Sequence, residues 1–404
     1  MLINKGFKAL FNNINKTYYN YYYIYIKERG KKMKFTIEKN VLLENLNNVT
    51  KAISVRNVIP ILNGIKFELS EEGLYLTASN TDLTIKSFID AKDIKEIKET
   101  GSIVIQSKYI LEIIRKLPDN IIEIEVIDGL KVLITSKNSQ FNLNCLKVSD
   151  YPQIKLEYQK DPIKINGNLF KTIIKQTVFA ISNQESRPLF TGINFKLQGN
   201  IMEITATDSY RLAKKTVNLD EFIKDEINIT IPGNNISEID KIITDDEVVE
   251  MHVFSNKVLF IYKNISFQTN LLSGNYPNTN NLIPDNFAII FNAKYQEFYD
   301  AIDRAALLTQ NKDKNIVKME TNDNTLTISS FASEIGRTEE EIDIEKSEGI
   351  NIGISFSSKF MLEALRTFDD QELIFLLNSE TKPIVIKSAK DETLIQLILP
   401  IKTY

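Results

Sequence analysis

The sequence repeats one unit of about 125 residues three times. The segment SKYILE at Ser107–Glu112 resembles SKFMLE at Ser358–Glu363, which lies 251 residues, or two periods, further along the chain. The Asp-Tyr-Pro segment at 150–152 resembles the Asn-Tyr-Pro segment at 275–277, one period of 125 residues later. Such a period is longer than that of a solenoid and matches the size of a small domain. The repeat therefore predicts three domains of similar fold joined end to end.

Each repeat shows the same order of predicted elements: a helix, several strands, a second helix and two or three more strands. In the first repeat, Leu42, Leu46, Val49 and Ile53 recur at helical spacing and mark one apolar face. Two amphipathic helices packed on one face of an antiparallel sheet make an α+β domain. The second helix of each repeat is predicted at residues 107–119, 233–246 and 357–370. The predicted domains cover residues 33–155, 160–281 and 284–404.

Charge is divided unevenly along the chain. The 404 residues include 49 Lys and Arg and 53 Asp and Glu, which gives a net charge of −4. Residues 1–32 contain seven basic residues and one acidic residue, so the remainder of the chain has a net charge of −10. This acidic body excludes a uniformly basic nucleic-acid-binding protein, although it allows a basic patch on one face.

Residues 1–32 form a basic leader rich in Tyr and Asn, and the patterned sequence starts at Met33. The aromatic run Tyr18–Tyr25 is shorter than the roughly 20 apolar residues that span a bilayer, and a signal-peptide cleavage pattern is missing. We expect the leader to be disordered or to lie upstream of the true start; the alternative is a targeting or membrane-surface segment. No other segment is apolar enough to cross a membrane, which predicts a cytoplasmic protein.

The residues needed for most catalytic and metal chemistry are scarce. Cys145 is the one cysteine and His252 the one histidine, which excludes an intrachain disulfide, a cysteine metal cluster and a multi-His site. The sequence contains no GxGxxG, GxxxxGK[ST] or GxSxG motif. We expect no cofactor and no metal. One enzyme hypothesis stays open, a hydrolase that uses Thr207, Asp208 and Arg211; a β-rich adhesin or scaffold is a third alternative, if the leader is a secretion signal.

The motifs and the repeat together resemble one family, the bacterial sliding clamp or β subunit of DNA polymerase III. The resemblance runs from Met33 to Tyr404. It is carried by MKFTIEKNVLLENL from Met33, IPIL at 59–62, ATDSYRLA at 206–213, YPNTNNLIP at 276–284 and LILPIKTY at 397–404.

The resemblance implies a head-to-tail homodimer whose six domains close a ring, with helices lining the hole and sheets outside. Duplex DNA passes through the hole without sequence readout, and the ring tethers the catalytic subunit of the replicative polymerase. Such a clamp catalyses no reaction itself. The further partners implied are an ATP-driven clamp loader, repair polymerases, a mismatch repair protein and ligase, with no membrane.

A sliding tether should hold phosphates loosely, which dispersed Lys and Arg side chains can do. Arg56 and Gln184 match DNA-contacting positions of the family, whereas a basic pair of the family is replaced by Gly233 and Asn234. The alternative for each Lys is a solvated helix face. The predicted DNA-binding residues are Lys51, Arg56, Lys108, Arg115, Lys171, Lys175, Gln184, Lys241, Arg304, Lys359 and Arg366.

The family also binds short linear peptides in an apolar pocket between its second and third domains. The alternative for these residues is ordinary interdomain packing. The sequence departs from the family at Tyr210, Asn280, Asn281 and Lys402, where His, an Arg pair and Arg are usual, so the peptide preference is expected to differ. The predicted pocket residues are Phe190, Thr207, Ser209, Tyr210, Arg211, Leu212, Pro277, Leu282, Ser357, Phe360, Pro383, Leu397, Leu399, Ile401 and Lys402.

Ring closure in the family joins the first domain of one chain to the third domain of the other. The matching apolar residues are Phe141 and Leu143 in the first repeat and Leu307 and Leu308 in the third. Phe141 and Leu143 alternate on one face of a predicted edge strand. An unpaired apolar edge favours aggregation unless it is covered, and a partner subunit would cover it.

Overall fold

The computed structural model describes residues 33–54, 57–128, 130–309 and 315–402, without the side chains of 346–348. The predicted leader at 1–32 and the candidate Arg56 lie outside the described residues. The chain divides into two compact units. The first contains the chain up to Gln159 together with Leu259–Gln268, and the second contains Lys160–Val258 and the chain from Thr269 onward. The predicted domain boundaries stay predictions.

The described part of the first unit combines two helices with antiparallel strands. The helices are α1 (Lys39–Thr50) and α2 (Ser107–Lys116). The strands are β1 (Lys34–Glu38), β2 (Gly64–Leu69), β3 (Gly73–Ser79), β4 (Leu83–Asp90), β5 (Ile94–Glu99), β6 (Gly101–Gln106), β7 (Ile121–Val126), β8 (Lys131–Ser136) and β9 (Ser139–Asn144). One sheet has the order β5-β1-β7-β8-β9, and β4, β3, β2 and β6 pair in that order in another. Strand β9 therefore forms an edge, as its sequence predicts.

The second unit contains four helices in its described part. They are α3 (Gly167–Thr177), α4 (Gly233–Asp240), α5 (Tyr295–Ala306) and α6 (Ser358–Leu365). Its strands are β10 (Ile163–Asn166), β11 (Gly192–Thr207), β12 (Arg211–Pro232), β13 (Val248–Val253), β16 (Ile289–Lys294), β17 (Ile316–Asn322), β18 (Thr325–Ala332), β19 (Gly336–Glu348), β20 (Gly353–Ser357), β21 (Glu372–Leu377), β22 (Ile384–Lys387) and β23 (Leu394–Ile398). The hairpin of β14 (Lys257–Tyr262) and β15 (Ile265–Asn270) supplies Leu259–Gln268 to the first unit.

A ten-stranded sheet organises the second unit. Its order is β11-β12-β23-β22-β21-β16-β19-β18-β17-β20, and β10 pairs separately with β13. Strand β12 pairs with β23 in antiparallel register, with Leu212 opposite Leu397. This pairing joins the second repeat to the last strand of the third repeat, so residues from both repeats meet at one place in the sheet.

The amphipathic helices bury one face in the core against the strands, as their periodicity predicts. On α5 the residues Phe298, Ala301, Ile302 and Ala305 are buried, at the spacing of one helix face. The Phe298 ring lies 4.5 Å, between ring centroids, from Phe375 of β21. The helix is thus held on the sheet by apolar burial, and its opposite face stays available to solvent.

The second helix of each repeat is shorter than the sequence predicts. Helix α2 ends at Lys116 because Leu117 precedes Pro118 and adopts an extended conformation with ψ of 139°. A residue before proline is disfavoured in the helical region by a steric clash. After α6, the N–H groups of Thr367 and Phe368 bond to carbonyls three residues back, which turns the chain out of the helix.

Cys145 and His252, the one cysteine and the one histidine of the sequence, are both buried. Cys145 is a buried thiol, and burial raises its pKa to about 12. His252 is buried on β13, and burial lowers its pKa although the nearby Glu250 opposes the shift. Within the described residues, no three His, Cys, Asp or Glu side chains are grouped to hold a metal ion. None of the described helices has the length and apolar character needed to cross a membrane.

Candidate peptide groove and DNA-facing helices

A tight turn between β11 and β12 presents the ATDSYRLA motif. The Asp208 Oδ1 atom accepts hydrogen bonds from the N–H groups of Tyr210 at 2.9 Å and Arg211 at 3.0 Å. Thr207 Oγ1 accepts from the N–H of Ser209 at 3.1 Å and donates to the carbonyl of Arg211 at 2.6 Å. Ser209 has a positive φ of 79°. These bonds hold Tyr210 on the outside of the turn, with 63% of its surface exposed.

Arg211 is a buried cation inside this turn. Its Nε donates to Asp208 Oδ2 at 3.0 Å, and its Nη1 donates to a carboxylate oxygen of Glu363 on α6. The guanidinium carbon lies 4.4 Å from the ring centroid of Phe360 and 5.2 Å from that of Phe179. Asp208 and Arg211 are thus engaged by their own neighbours, which leaves no free acid–base pair of the kind that the hydrolase hypothesis needs.

An apolar cluster lies beside the turn. Leu212, Val385 and Leu397 are buried together, and the half-buried Leu399 packs against them. The N–H of Leu399 donates to the carbonyl of Tyr210 at 2.8 Å, which holds the C-terminal segment along the turn. The half-buried Leu399 gives this cluster a partly exposed apolar edge, which is the candidate contact for an apolar peptide anchor.

Tyr276 also contacts the Thr207–Arg211 turn, although it was not among the residues predicted to bind peptide. Its hydroxyl accepts a hydrogen bond from the N–H of Thr207 at 3.1 Å, and burial raises its pKa. The Phe190 ring meets the Tyr276 ring edge to face, with centroids 6.2 Å apart. Pro277 follows and is exposed. The signal for Tyr276 was in the sequence, because the Tyr-Pro pair occurs at the same place in two repeats.

The remaining predicted groove residues lie on neighbouring elements. Lys214 Nζ donates to Asn280 Oδ1 at 3.3 Å. Asn280 therefore makes a polar contact at a position where the family has a basic residue. Leu282, two residues later, is exposed. The N–H of Ile401 donates to the carbonyl of Ser355 at 2.7 Å, two residues before the buried Ser357. Pro383 directly precedes β22, and Lys402 is exposed on the C-terminal segment.

A cleft of about 290 Å³ brings the two predicted sites together. Gln184 and Lys359, predicted to contact DNA, line it together with Tyr210 and Phe360, predicted to contact peptide. Arg187, which the sequence interpretation omitted, also lines the cleft. Sequence spacing could not predict that these side chains line one cleft, because they come from separate segments of the second and third repeats.

The described candidate cations all lie on or at the ends of helices. Gln184, the one uncharged candidate, lies outside the helices, and Arg56 is outside the described residues. Lys108 and Lys359 are exposed, and within the described chain they make no side-chain ion pair or hydrogen bond. Lys171 donates instead to the carbonyls of Asp240 and Ile243, at 3.2 and 2.8 Å.

Other candidate cations already have protein partners. Arg115 pairs with Glu112, Lys175 with Asp369, Lys241 with Glu238 and Arg304 with Glu340, while Arg366 donates to the Tyr299 hydroxyl and Lys51 to Asn47 and Asn48. Such exposed pairs are weak and exchange readily with a phosphate. Lys108 and Lys359 thus differ from these candidates in having no competing side-chain partner among the described residues.

The candidate dimer residues are accessible. Phe141 is exposed and Leu143 half-buried on the edge strand β9. Leu307 is 63% exposed directly after α5, and Leu308 is half-buried beside it.

Comparisons with known proteins agree over nearly the whole described chain. Three sequence families, described as the N-terminal, central and C-terminal domains of the DNA polymerase III beta subunit, match residues 33–155, 164–278 and 280–402. The beta sliding clamp of Staphylococcus aureus (strain Mu50 / ATCC 700699) is 39% identical over 377 residues, which cover 92% of this chain and 100% of that protein. The chain therefore belongs to the DNA polymerase III beta subunit family.

Solved structures give the same result. The DNA polymerase sliding clamp from Bacillus subtilis matches with a TM-score of 0.88 and 40% identity, and the DNA polymerase III beta chain from Streptococcus pneumoniae TIGR4 with 0.88 and 33%. Each match covers 92% of this chain and 100% of the other. The chain is a DNA sliding clamp, so the family, α+β clamp fold and function predicted from the sequence are confirmed. Nothing found supports the hydrolase alternative.

Proposed function

We propose that two copies of this chain close a head-to-tail ring around duplex DNA and tether the catalytic subunit of the replicative polymerase. The clamp itself catalyses no reaction and acts in the cytoplasm, where its DNA partner is. It is placed on DNA by an ATP-driven clamp loader, and it also serves repair polymerases, a mismatch repair protein and ligase.

DNA is held by the helix cations without base readout. Lys108 and Lys359 are the second residues of α2 and α6, corresponding helices of the first and third repeats. Both side chains extend into solvent from helices whose other face is buried. Dispersed single cations attract phosphates at any position along the duplex, which suits a protein that must slide.

The observation that best supports a tether is the groove beside the Thr207–Arg211 turn. Leu212 and Leu397 are buried in the cluster, the half-buried Leu399 carries its apolar surface to solvent, and the exposed Tyr210 lies beside them. An extended peptide with apolar anchors fits such a surface, since pocket side chains select the anchors. The different side chains at Asn280 and Asn281 alter the preference for charged residues next to those anchors.

Direct peptide binding tests this proposal. A fluorescently labelled peptide that carries the clamp-binding segment of the polymerase subunit should bind the full-length protein. The Leu399→Ala variant should bind it about 10-fold more weakly, because truncation of an anchor contact in a groove centre costs more than about 1 kcal/mol. Ile350→Ala, at an apolar side chain that is 78% exposed outside the groove, serves as the control.

Two outcomes would contradict the groove assignment. One is that the wild-type protein does not bind the peptide at all. The other is that Leu399→Ala and Ile350→Ala bind it with the same affinity as wild type.

A further inference from the structure

The ion pair of Arg211 with Glu363 connects the second repeat to the third repeat beside the Thr207–Arg211 turn. Arg211 begins β12 of the second repeat, and Glu363 belongs to α6 of the third. The pair spans 152 residues of sequence, and both residues lie in the second compact unit. Phe360, one turn before Glu363 on the same helix, packs against the guanidinium.

The first repeat builds the same turn without the arginine. With an offset of 128 residues, Asn80 corresponds to Asp208 and Leu83 to Arg211. Asn80 Oδ1 accepts from the N–H groups of Asp82 at 3.1 Å and Leu83 at 2.9 Å, and Thr81 has a φ of 83°, close to that of Ser209. Ser79 Oγ donates to the carbonyl of Leu83, as Thr207 does to that of Arg211. The turn therefore forms from its Asx and hydroxyl side chains without an arginine, and Arg211 has another role.

The corresponding glutamate of the first repeat behaves differently. Glu112 occupies the position of Glu363 in the repeated segment, 251 residues earlier. It pairs with Arg115 and Lys116 on its own helix, and its side chain is 45% exposed. The Glu363 side chain is 27% exposed and reaches across to Arg211. The same residue type thus makes a local pair in one repeat and a pair between repeats in the other.

We propose that Glu363 is a positioning residue for the peptide groove. Its carboxylate holds the Arg211 guanidinium between Phe179 and Phe360, and so holds α6 against the turn that carries Tyr210. This proposal rests on the peptide-binding function proposed above and adds a residue that touches no peptide.

The physical reason is the burial of Arg211. A buried guanidinium needs its charge compensated, and Asp208 alone satisfies only one side of it. Without the Glu363 carboxylate, the guanidinium turns toward water and leaves the two rings. Phe360 then loses the guanidinium that it packs against, and α6 is held less firmly beside the turn that carries Tyr210.

The experiment measures peptide affinity for Glu363→Gln and Glu363→Asp in the full-length protein, each alone and combined with Arg211→Leu. The leucine is the side chain that the first repeat uses at this position. We expect about 10-fold weaker binding for Glu363→Gln and about 3-fold for Glu363→Asp, which keeps the charge on a shorter side chain. In the Arg211→Leu background, both changes should alter affinity less than about 2-fold, because the pair is already absent.

Glu112→Gln is the matched control, with the same change at the same helix position, and it should bind peptide like wild type. If Glu363→Gln does not fold in thermal melts, Glu363→Asp with and without Arg211→Leu carries the test. Wild-type affinity in both Glu363 variants would overturn the inference, and so would an undiminished loss in the Arg211→Leu background. No peptide binding by the wild-type protein would instead contradict the proposed function.

Discussion

At the scale of single residues, the buried Lys215 forms an ion pair that links β12 to the segment before β23. Lys215 on β12 is nearly inaccessible, and its Nζ lies 2.6 Å from Asp391 Oδ2, just before β23. Burial by itself raises the pKa of Asp391, but hydrogen bonds from Lys215 and Thr393 outweigh it, so the pKa stays below its usual value. The ionised pair therefore stabilises the β12–β23 region.

Asp391→Asn should lower the free energy of unfolding by about 3 kcal/mol at neutral pH, since it leaves Lys215 buried without a counter-ion. The folded pKa of Asp391 is depressed, so its contribution is full above the unfolded pKa and is lost as the pH falls through the folded pKa. The stability difference from wild type should therefore shrink below about pH 4. Urea unfolding across this range measures it.

The exposed Asp285→Asn variant is the control, and its unfolding free energy should stay close to wild type at every pH. A difference between Asp391→Asn and wild type that grows as the pH falls would contradict the assignment of the pair.

Residues of the groove differ in how far the sequence could predict them. Thr207 to Leu212 are contiguous, and their Asp-containing turn is a local pattern that can be read directly. Glu363 and Tyr276 could not be found in that way, because their contacts to the turn cross 152 and 69 residues. Those distances are closed by strand pairing, which single-sequence periodicity does not encode.

At the scale of elements, the helices carry two kinds of cation: Lys108 and Lys359 have no side-chain partner among the described residues, whereas Lys171 bonds to backbone carbonyls. The double variant Lys108→Ala/Lys359→Ala should weaken DNA binding. The slope of log affinity against log salt concentration should also decrease, by about one for each phosphate that the variant no longer neutralises. Binding of labelled duplex over a salt series measures the slope. An unchanged slope would contradict the view that these two side chains contact phosphate.

Lys171→Ala tests the second class of cation. Lys171 donates to two carbonyls, that of Asp240, the last residue of α4, and that of Ile243 beyond the helix. Its removal should lower the unfolding free energy by about 1–2 kcal/mol and leave the salt slope of DNA binding unchanged. A reduced slope with unchanged stability would instead place Lys171 among the DNA contacts.

At the scale of the whole molecule, the account requires two chains to form one ring. Leu307→Asp should give a monomer of 46.3 kDa in light scattering, where the wild-type protein should give twice that mass. The charge is tolerated in the monomer because Leu307 is 63% exposed, but it would be buried against the apolar edge of β9 in a dimer.

Ile350→Asp is the matched control at an even more exposed apolar residue, and it should stay dimeric. Dimers of both variants would contradict the proposed interface. The sequence could suggest this interface because Phe141 and Leu143 alternate on an edge strand, but the choice of partner surface came from the family resemblance.

The uneven charge of the chain belongs to this scale as well. A body with a net charge of −10 beyond residue 32 is an unexpected partner for DNA until the helix cations are considered separately. Acidic residues elsewhere would keep duplex away from other surfaces, so that attraction is confined to the helices.

Retention on DNA tests the central claim most directly. The protein is loaded by its clamp loader onto a nicked circular duplex and freed of unbound protein, and the circle is then linearised at a single site. A closed ring is linked to the circle topologically, so it should stay on circular DNA and leave through the ends of the linear form. Equal retention on both forms would contradict encirclement.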